Sequence, residues 1–437
     1  MCDTAGARSL SRVTTDLLAE FDARGLIHDT TDRDALTQAL DAGMITVYVG
    51  FDPTADSLHL GNFIPIMMLR RMQLAGHKPI ALVGGSTGMV GDPGGRSEER
   101  NLLDTETLAH NLAGISNVLR RLLDFDSGAA NDAEMVNNFD WTGPVGVIEF
   151  LRDVGKHVTV NQMMAKDSVR SRLQSEHGIS FTEFSYMLLQ AFDFWWLYEN
   201  KNCVMQMGGS DQWGNITAGT DLIRKRSQGS AFALTWPLLT RSDGAKFGKT
   251  ADGALWLDAE RTLPYELHQY LLRVSDDDVE RMLMWLTLLP VDEVRAVMAE
   301  HATAPGERGA QRRLADEALR LIHGNDAVHQ ANLAAKALFG GAELTGEMAE
   351  SLRGIVPETR VTADALEHEQ NLVGLLVASG LCSSRGDARR KLGEHQISVN
   401  GAKTDTDSIE ASALIDGRFV LLQRGKKARN LVVVDPT

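Results

Sequence analysis

The stretch that decides the fold is residues 45–62, ITVYVGFDPTADSLHLGN, in a chain of 437 residues. Its first seven residues are mostly β-branched or aromatic, which is typical of a buried strand, and a helical pattern follows over residues 60–75. Residues 79–83, PIALV, predict a second buried strand. Strand, helix and strand in this order predict a βαβ unit, and therefore a parallel sheet with a right-handed crossover.

Further strand signals extend this sheet along the chain. Residues 135–136 and 203–207 are short apolar runs that end at polar or glycine residues. Ligands of open parallel sheets bind beyond the carboxyl ends of the strands, so the segments that follow the strands should converge on one crevice. These segments are residues 48–54, 84–92 and 208–215.

The pattern changes along the chain and predicts several domains. The predicted fold class is α/β: a Rossmann-like parallel-sheet domain over residues 1–250, an α-helical domain over 251–350, and a small α+β domain over 371–437. Residues 351–370 are acidic and weakly patterned, so we expect a linker there. In the last domain, two short helical patterns precede Asn400–Gly401, a dipeptide that predicts a hairpin.

Charge distinguishes the last domain from the rest of the chain. The formal net charge is −15, but residues 371–437 carry ten basic and seven acidic side chains. A strongly acidic protein repels polyanions at long range, so any nucleic-acid contact must be local. Arg385, Arg389 and Arg390 would share one helix face, which suits phosphates, although a solvated charged face is the alternative.

Cysteine usage and hydropathy indicate an ordinary cytoplasmic protein. Cys2, Cys203 and Cys382 are far apart and have no zinc-site or disulfide-framework spacing, so we predict no metal site in the protein. The first ten residues lack the apolar core of a signal peptide, and no stretch is long and apolar enough for a membrane span. We therefore expect no membrane association.

The turn after the first strand has the chemistry of a phosphate clamp. His59 and Asn62 lie in the first turn of the predicted helix, where free backbone N–H groups and the helix dipole favour anions. Gly61 between them allows a planar ligand to approach the backbone. The alternative is a simple capping or packing role for His59.

Three other segments carry polar groups that need an explanation. Residues 246–250, KFGKT, form a lysine-bearing loop, which by itself is also typical of a plain surface loop. Residues 84–95 are glycine-rich but lack the Gly-Lys-Ser/Thr ending of a P-loop, and they include the lone carboxylate of Asp92. Residues 208–215, GGSDQWGN, combine a glycine turn with the polar side chains of Asp211 and Gln212. The alternative is a capped helix start.

A long helical stretch places three polar residues on one apolar face. Tyr186, Gln190 and Asp193 are spaced i, i+4 and i+7, so they lie on the same side of the helix. A buried carboxylate needs a partner, which is either a structural network or a ligand.

Taken together, these segments resemble class I aminoacyl-tRNA synthetases. Residues 56–62, DSLHLGN, resemble the HIGH signature, with Asn62 in place of its last histidine, and KFGKT resembles the KMSKS loop. Residues 48–62 and 208–215 are similar in particular to the tyrosine-specific members. Residues 371–437 resemble an S4-type RNA-binding domain.

The resemblance implies roles for individual residues. Catalysis would be carried by His59, Asn62, Lys246, Lys249 and Thr250. Tyrosine would be held by Tyr48, Asp92, Tyr186, Gln190, Asp193 and Gln212. ATP would be bound by Gly50, Asp52, Thr54, His59, Gly61, Asn62, Asp211, Lys246 and Lys249. RNA would be bound by Arg385, Arg389, Arg390, Lys391 and Lys403.

The resemblance also implies an activity and its partners. With ATP and Mg²⁺, L-tyrosine would give tyrosyl-adenylate and pyrophosphate, and the tyrosyl group would then pass to the 3′ end of tRNA(Tyr). A homodimer is expected, and the helical domain would bind the anticodon region. Two alternatives stay open: a tryptophan-specific class I synthetase, and a non-catalytic RNA-binding regulator that retains the fold.

Overall fold

The computed structural model describes most of the chain, namely residues 16–92, 104–166, 169, 170, 173, 178–242, 244, 247–250, 253–340, 343–425 and 427–435. Predicted site residue Lys246 lies outside these residues. The chain forms two compact units. The first comprises residues 1–262 and 272–322, and the second comprises residues 263–271 and 323–437.

The first unit is built on a six-stranded sheet, ordered β1-β6-β5-β2-β3-β4. Its strands are β1 (Asp29–Thr30), β2 (Thr46–Phe51), β3 (Lys78–Val83), β4 (Glu134–Asn137), β5 (Cys203–Gly209) and β6 (Phe232–Trp236). Every neighbouring pair is parallel except β1 with β6. The predicted βαβ unit is confirmed, since β2 and β3 pair in parallel with Tyr48 opposite Ile80.

Helices connect and cover these strands. In chain order they are α1 (Leu17–Ala23), α2 (Arg33–Ala42), α3 (Phe63–Leu74), α4 (Gly85–Val90), α5 (Thr105–Leu122), α6 (Phe139–Thr142), α7 (Val147–Asp153), α8 (Val160–Ala165), α9 (Phe181–Lys201) and α10 (Trp213–Ser227). The crossover helix α3 is buried on most of its surface, because it packs between the sheet and a later helix. Its sequence therefore lacks a polar face.

A helical region follows the sheet, as predicted. It consists of α11 (Pro264–Leu272), α12 (Asp276–Leu286), α13 (Val291–Thr303) and α14 (Gly309–Phe339), and it is preceded by a short hairpin of β7 (Lys249–Thr250) and β8 (Gly253–Ala254). Gly324, with φ of 85°, interrupts α14. The two compact units divide the chain at positions other than residues 250 and 350. We keep these two positions as proposed boundaries of functional domains.

The carboxyl-terminal part of the second unit is a small α+β fold. Its helices are α15 (Gly346–Glu350), α16 (Asp364–Glu367), α17 (Asn371–Ala378) and α18 (Arg385–Gly393), and its sheet has the order β11-β10-β12-β13-β9. The strands are β9 (Glu358–Thr362), β10 (Ile397–Val399), β11 (Ala402–Thr404), β12 (Phe419–Arg424) and β13 (Ala428–Asp435). The predicted hairpin is confirmed: Asn400 and Gly401 both have positive φ between β10 and β11.

The prediction of a linker over residues 351–370 is wrong. Strand β9 lies within this range and pairs in parallel with β13, with Thr359 opposite Val432. Its side chains alternate between exposed and half-buried, so its composition is that of a polar edge strand. The partner strand comes about 70 residues later, and local pattern therefore gives no indication of the pairing.

None of the helices in the described part of the chain combines the length and the apolar character needed to cross a bilayer.

Candidate active site

A cavity of about 320 Å³ opens at the carboxyl ends of the central strands. Helix α9 lines one side of it, and the segments after β2 and β5 line the others. Ten of the predicted site residues contribute to its wall: Tyr48, Gly50, Asp52, Gly61, Asp92, Tyr186, Gln190, Asp193, Asp211 and Gln212. The structure therefore brings the three predicted loops and the polar face of α9 together.

Asp193 is the most deeply buried carboxylate of this wall, with 2% of the residue exposed. It accepts hydrogen bonds from Asn138 Nδ2 at 2.9 Å and from Trp141 Nε1 at 2.8 Å. Burial raises the pKa of Asp193 to about 7, although both hydrogen bonds act in the opposite direction. The carboxylate is thus held in place at both oxygens within an apolar surround.

Tyr48 lies in the same wall, on β2, and is also buried. Burial, followed by the charge of Asp193, raises its pKa well above the usual value, so the phenol stays protonated. Within the described residues, Tyr48 Oη, Gln190 Oε1 and Gln206 Oε1 are buried and have no hydrogen-bond partner. Buried polar atoms are normally paired, so three unpaired ones in one wall are typical of a binding site.

Tyr186 and Asp52 connect α9 to the segment after β2. The Tyr186 hydroxyl donates to Asp52 Oδ2 at 3.2 Å, and Thr87 Oγ1 donates to Asp52 Oδ1 at 3.1 Å. Asn138 Nδ2 in turn lies 3.2 Å from Thr87 Oγ1. A continuous polar network therefore links Asp52, which is predicted to bind ATP, with the carboxylate of Asp193.

A second network surrounds Asp92. Gln212 Nε2 donates to Asp92 Oδ2 at 2.7 Å, and Asn215 Nδ2 donates to Gln212 Oε1 at 2.8 Å. Lys166 donates to Asn215 Oδ1, and its Nζ lies 4.0 Å from Asp92 Oδ1. Burial lowers the pKa of Lys166 below its usual value, although the charges of Asp92 and Asp211 act in the opposite direction. This side of the cavity has charges of both signs held in fixed positions.

His59 and Asn62 form a reciprocal cap on the turn that begins α3. Gly61 N donates to His59 Nδ1 at 3.0 Å, and His59 N donates to Asn62 Oδ1 at 3.2 Å. Only Gly61 of this turn lines the cavity, and Thr54 is exposed outside the wall. The capping role that the sequence left open for His59 is thus present.

The lysine-bearing loop packs against that same turn. Lys249 and Thr250 belong to β7, and Gly248 before them has φ of 75°. A Cβ at Gly248 would lie 3.2 Å from Leu60 Cβ, a tight contact, and the positive φ of this residue favours glycine. The backbone of this loop therefore lies beside the HIGH-like turn.

The five residues predicted to bind RNA belong to the carboxyl-terminal fold. Arg385, Arg389, Arg390 and Lys391 lie on α18, and Lys403 lies on β11. Arg390 donates to Asp387 at 2.7 Å, and Arg389 donates to Gln370 at 2.5 Å. All except Lys391 are exposed residues.

Sequence reasoning missed the residues that support the site. Asn138 directly follows β4, so the rule for carboxyl ends of strands could have indicated it. Thr87 and Asn215 lie within the predicted strand-end segments 84–92 and 208–215 but were not singled out there. Trp141 and Lys166 gave no such signal, because each reaches the site from a helix or turn remote in sequence.

Comparison with known proteins assigns the family. Residues 41–340 match the family described as tRNA synthetases class I (W and Y), and residues 347–432 match the tyrosine–tRNA ligase SYY-like C-terminal domain. The chain is 49% identical over 425 residues to the tyrosine–tRNA ligase of Bacillus caldotenax, covering 95% of this chain and 99% of the relative. The chain belongs to the tyrosine–tRNA ligase family. The ligase of Opitutus terrae is 48% identical over 423 residues, covering 96% of this chain and 99% of that relative.

Solved structures agree with membership of the tyrosine–tRNA ligase family. A C-terminally truncated mitochondrial tyrosyl-tRNA synthetase of Aspergillus nidulans matches with a TM-score of 0.67 and 33% identity, over 74% of this chain and 94% of that one. A tryptophan-bound tryptophanyl-tRNA synthetase of Encephalitozoon cuniculi has a TM-score of 0.51 at 13% identity, over 71% and 87% of the two chains, which shows a shared fold alone.

Proposed function

We propose that this chain joins L-tyrosine to tRNA(Tyr) in two steps. Tyrosine and ATP, supplied as its Mg²⁺ complex, give tyrosyl-adenylate and pyrophosphate, and the tyrosyl group then passes to the 3′ end of the tRNA. The observation that carries the proposal is the buried, unpaired hydroxyl of Tyr48 in the same cavity wall as Asp193. Family membership supports the same conclusion.

The phenol of the substrate would meet Tyr48 and Asp193. Asp193 is already oriented by Asn138 and Trp141, so a bound hydroxyl finds a fixed acceptor. A ligand without that hydroxyl leaves buried polar groups unpaired, at about 1–3 kcal/mol for each. This arrangement would favour tyrosine over phenylalanine.

The α-amino group of tyrosine would bind near Asp92, Tyr186 and Gln190. Asp92 supplies a carboxylate, and Gln190 supplies an unpaired carbonyl oxygen. Gln212 lies next to Asp92 and would face the reacting carboxylate. The carboxylate of the substrate tyrosine attacks the α-phosphorus of ATP. The P–O bond between the α-phosphorus and the pyrophosphate breaks, and pyrophosphate leaves with the electron pair.

ATP would extend from the cavity toward the HIGH-like turn. Asp211 would hold the ribose hydroxyls, while Gly50, Asp52, Thr54 and Gly61 would lie along the nucleotide. His59, Asn62, Lys246, Lys249 and Thr250 would stabilise the charge that develops on the phosphates, since preorganised donors act most strongly where charge appears in the transition state. Catalysis then depends on positioning, without a protein nucleophile.

The remaining parts of the proposal concern partners and location. The helical region would bind the anticodon end of the tRNA, and the basic residues of α18 and β11 would contact its phosphates. A homodimer is supported by exposed apolar residues on α7, α8 and the start of α9: Val147, Ile148, Val160, Met164 and Phe181. The cytoplasm is the proposed location.

Exchange of labelled pyrophosphate into ATP is the experiment that tests this function. Tyrosine, phenylalanine and tryptophan would be compared in parallel on the same protein. Exchange with tyrosine alone is the expected result. Exchange with tryptophan alone would replace the proposal by the tryptophan-specific alternative, and no exchange together with binding of structured RNA would favour the non-catalytic regulator.

A further inference from the structure

Helix α12 links the two signature segments of the site at its two ends. At its first turn, the Asp278 carboxylate accepts hydrogen bonds from Ser242, which leads into the lysine loop. At its last turn, the backbone carbonyls accept hydrogen bonds from Arg71 of α3, the helix that follows the HIGH-like turn. Residues 247–250, the described part of the lysine-bearing segment that Ser242 precedes, are called the lysine loop below.

The hydrogen bonds at Asp278 are numerous for one side chain. Ser242 N lies 3.0 Å from Oδ2, Ser242 Oγ lies 3.0 Å from Oδ2, and Ser275 Oγ lies 2.9 Å from Oδ2. Arg281 Nη2 lies 2.7 Å from Oδ1 and 2.6 Å from the carbonyl oxygen of Thr240. The carboxylate therefore holds the backbone on both sides of Arg241, just before the loop.

Burial and charge indicate that these hydrogen bonds are specific. Asp278 is 3% exposed, whereas its neighbour Asp277 is exposed on the same first turn. Burial raises the pKa of Asp278, but the hydrogen bonds from Ser242 and Ser275 and the charge of Arg281 outweigh it, so the pKa lies below its usual value. Helix stabilisation by charge alone would need only an exposed carboxylate.

The other end of α12 is equally well fixed. Arg71 is buried and donates to the carbonyls of Met284 at 3.0 Å and Thr287 at 2.6 Å. Arg24 adds a second buried cation, which donates to Met284 and Leu289. A helix held at its last turn by α3 can therefore hold a loop at its first turn with little freedom.

The far end of the lysine loop is attached to the HIGH-like turn by backbone hydrogen bonds. Leu255 N donates to Gly248 O at 2.9 Å, and Leu60 N donates to Leu255 O at 2.7 Å. The loop is thus fixed at its exit by residues 58–60 and at its entry by Asp278. Its position relative to the HIGH-like turn depends on both attachments.

We propose that Asp278 is a positioning residue for the lysine loop and acts through Ser242 during adenylate formation. This rests on the proposed function, because the loop has a catalytic role only in that reaction. Asp278 does not line the cavity, so it acts on the transition state and not on tyrosine binding. A small displacement of a catalytic group costs up to about 100-fold in rate.

The test compares Asp278→Asn with Asp277→Asn, which removes one charge from the same helix turn. We expect Asp278→Asn to slow single-turnover adenylate formation by about 10- to 100-fold, with the Kd for tyrosine unchanged. Asp277→Asn should stay within about twofold of the wild type. An unchanged rate in Asp278→Asn would overturn the proposal.

A double-mutant cycle with Lys249→Ala separates positioning from general damage. If Asp278 acts through the loop, Asp278→Asn should cost much less in the Lys249→Ala protein than in the wild type. Equal fold losses in both backgrounds would overturn the proposal. If Asp278→Asn does not fold, as judged by circular dichroism, Ser242→Ala replaces it in the same cycle with the same expectation. Failure of the proposed function is recognised separately, since the wild type would then show no tyrosine-dependent exchange.

Discussion

The indole Nε1 of Trp141 donates a 2.8 Å hydrogen bond to Oδ1 of Asp193, between residues 52 positions apart in the chain. Asn138 donates to the other oxygen, so the carboxylate cannot rotate without breaking a hydrogen bond. The carboxylate proposed to recognise the substrate hydroxyl is thus oriented before any ligand arrives. Preorganisation of this kind reduces the free-energy cost of binding.

Trp141→Phe should weaken tyrosine binding. It removes the Nε1 donor that orients the Asp193 carboxylate before the ligand arrives. Ordering that side chain on binding then costs about 0.5–1.5 kcal/mol, so the Kd for tyrosine should rise by up to roughly 10-fold. Equilibrium dialysis measures this directly. Trp196→Phe is the matched control, because Trp196 stacks on Trp141 with ring centroids 4.2 Å apart and lies outside the cavity wall. Equal affinities in the two variants would contradict the assigned role of Nε1.

The raised pKa of Asp193 predicts a pH dependence of stability in the ligand-free protein. The folded-state pKa of about 7 exceeds the unfolded value, so between about pH 4 and 7 the folded state binds the extra proton. The contribution of Asp193 to the free energy of unfolding is full below that range and falls as pH rises to 7. Relative to Asp193→Asn, the wild type should lose about 1.4 kcal/mol for each pH unit.

Urea unfolding of both proteins between pH 5 and 7 measures the difference. The Asn side chain cannot titrate, so all other groups cancel in the comparison. A difference between the two proteins that stays constant from pH 5 to 7 would mean that Asp193 is ionised throughout the range in the folded state, contrary to the effect of burial.

Charged substitutions at exposed apolar residues should disrupt the proposed homodimer. Ile148 and Phe181 are each 76% exposed, and a carboxylate in a buried interface loses hydration without gaining a partner. We expect Ile148→Glu and Phe181→Glu to shift the protein to monomer in sedimentation velocity. Met44→Glu, at an exposed apolar residue before β2, should leave the association state unchanged. A wild type that is monomeric at working concentration would remove the homodimer from the proposal.

Removal of basic residues from α18 should weaken tRNA binding and leave adenylate formation intact. Arg385→Ala and Arg389→Ala should each lower affinity and reduce the slope of log affinity against log salt by about one for each phosphate that the variant no longer neutralises. Filter binding at several salt concentrations measures the slope. Arg120→Ala, an exposed arginine of α5, is the charge-matched control, because α5 lies outside both regions proposed to bind tRNA. An unchanged slope in both α18 variants would contradict binding of phosphates by this helix.

Local sequence pattern was sufficient to predict the elements whose paired strands are close together along the chain. The β2–α3–β3 unit follows from a buried strand, a helical period and a second buried strand, and the Asn400–Gly401 hairpin follows from two residues that tolerate positive φ. The edge strand β9 was missed for the opposite reason. The alternation of exposed and half-buried residues in β9 can be recognised as a strand only from its pairing with β13.

By itself, the sequence determined the α/β fold class, the convergence of the strand-end loops and the segments that carry the chemistry, because periodicity and the geometry of parallel sheets are local rules. Only the tertiary structure decided which groups orient that chemistry. Asn138 reaches Asp193, Lys166 approaches Asp92, and Asp278 holds Ser242. Such pairs depend on strand order and helix packing, which bring together residues tens of positions apart, and no spacing rule along the chain encodes them.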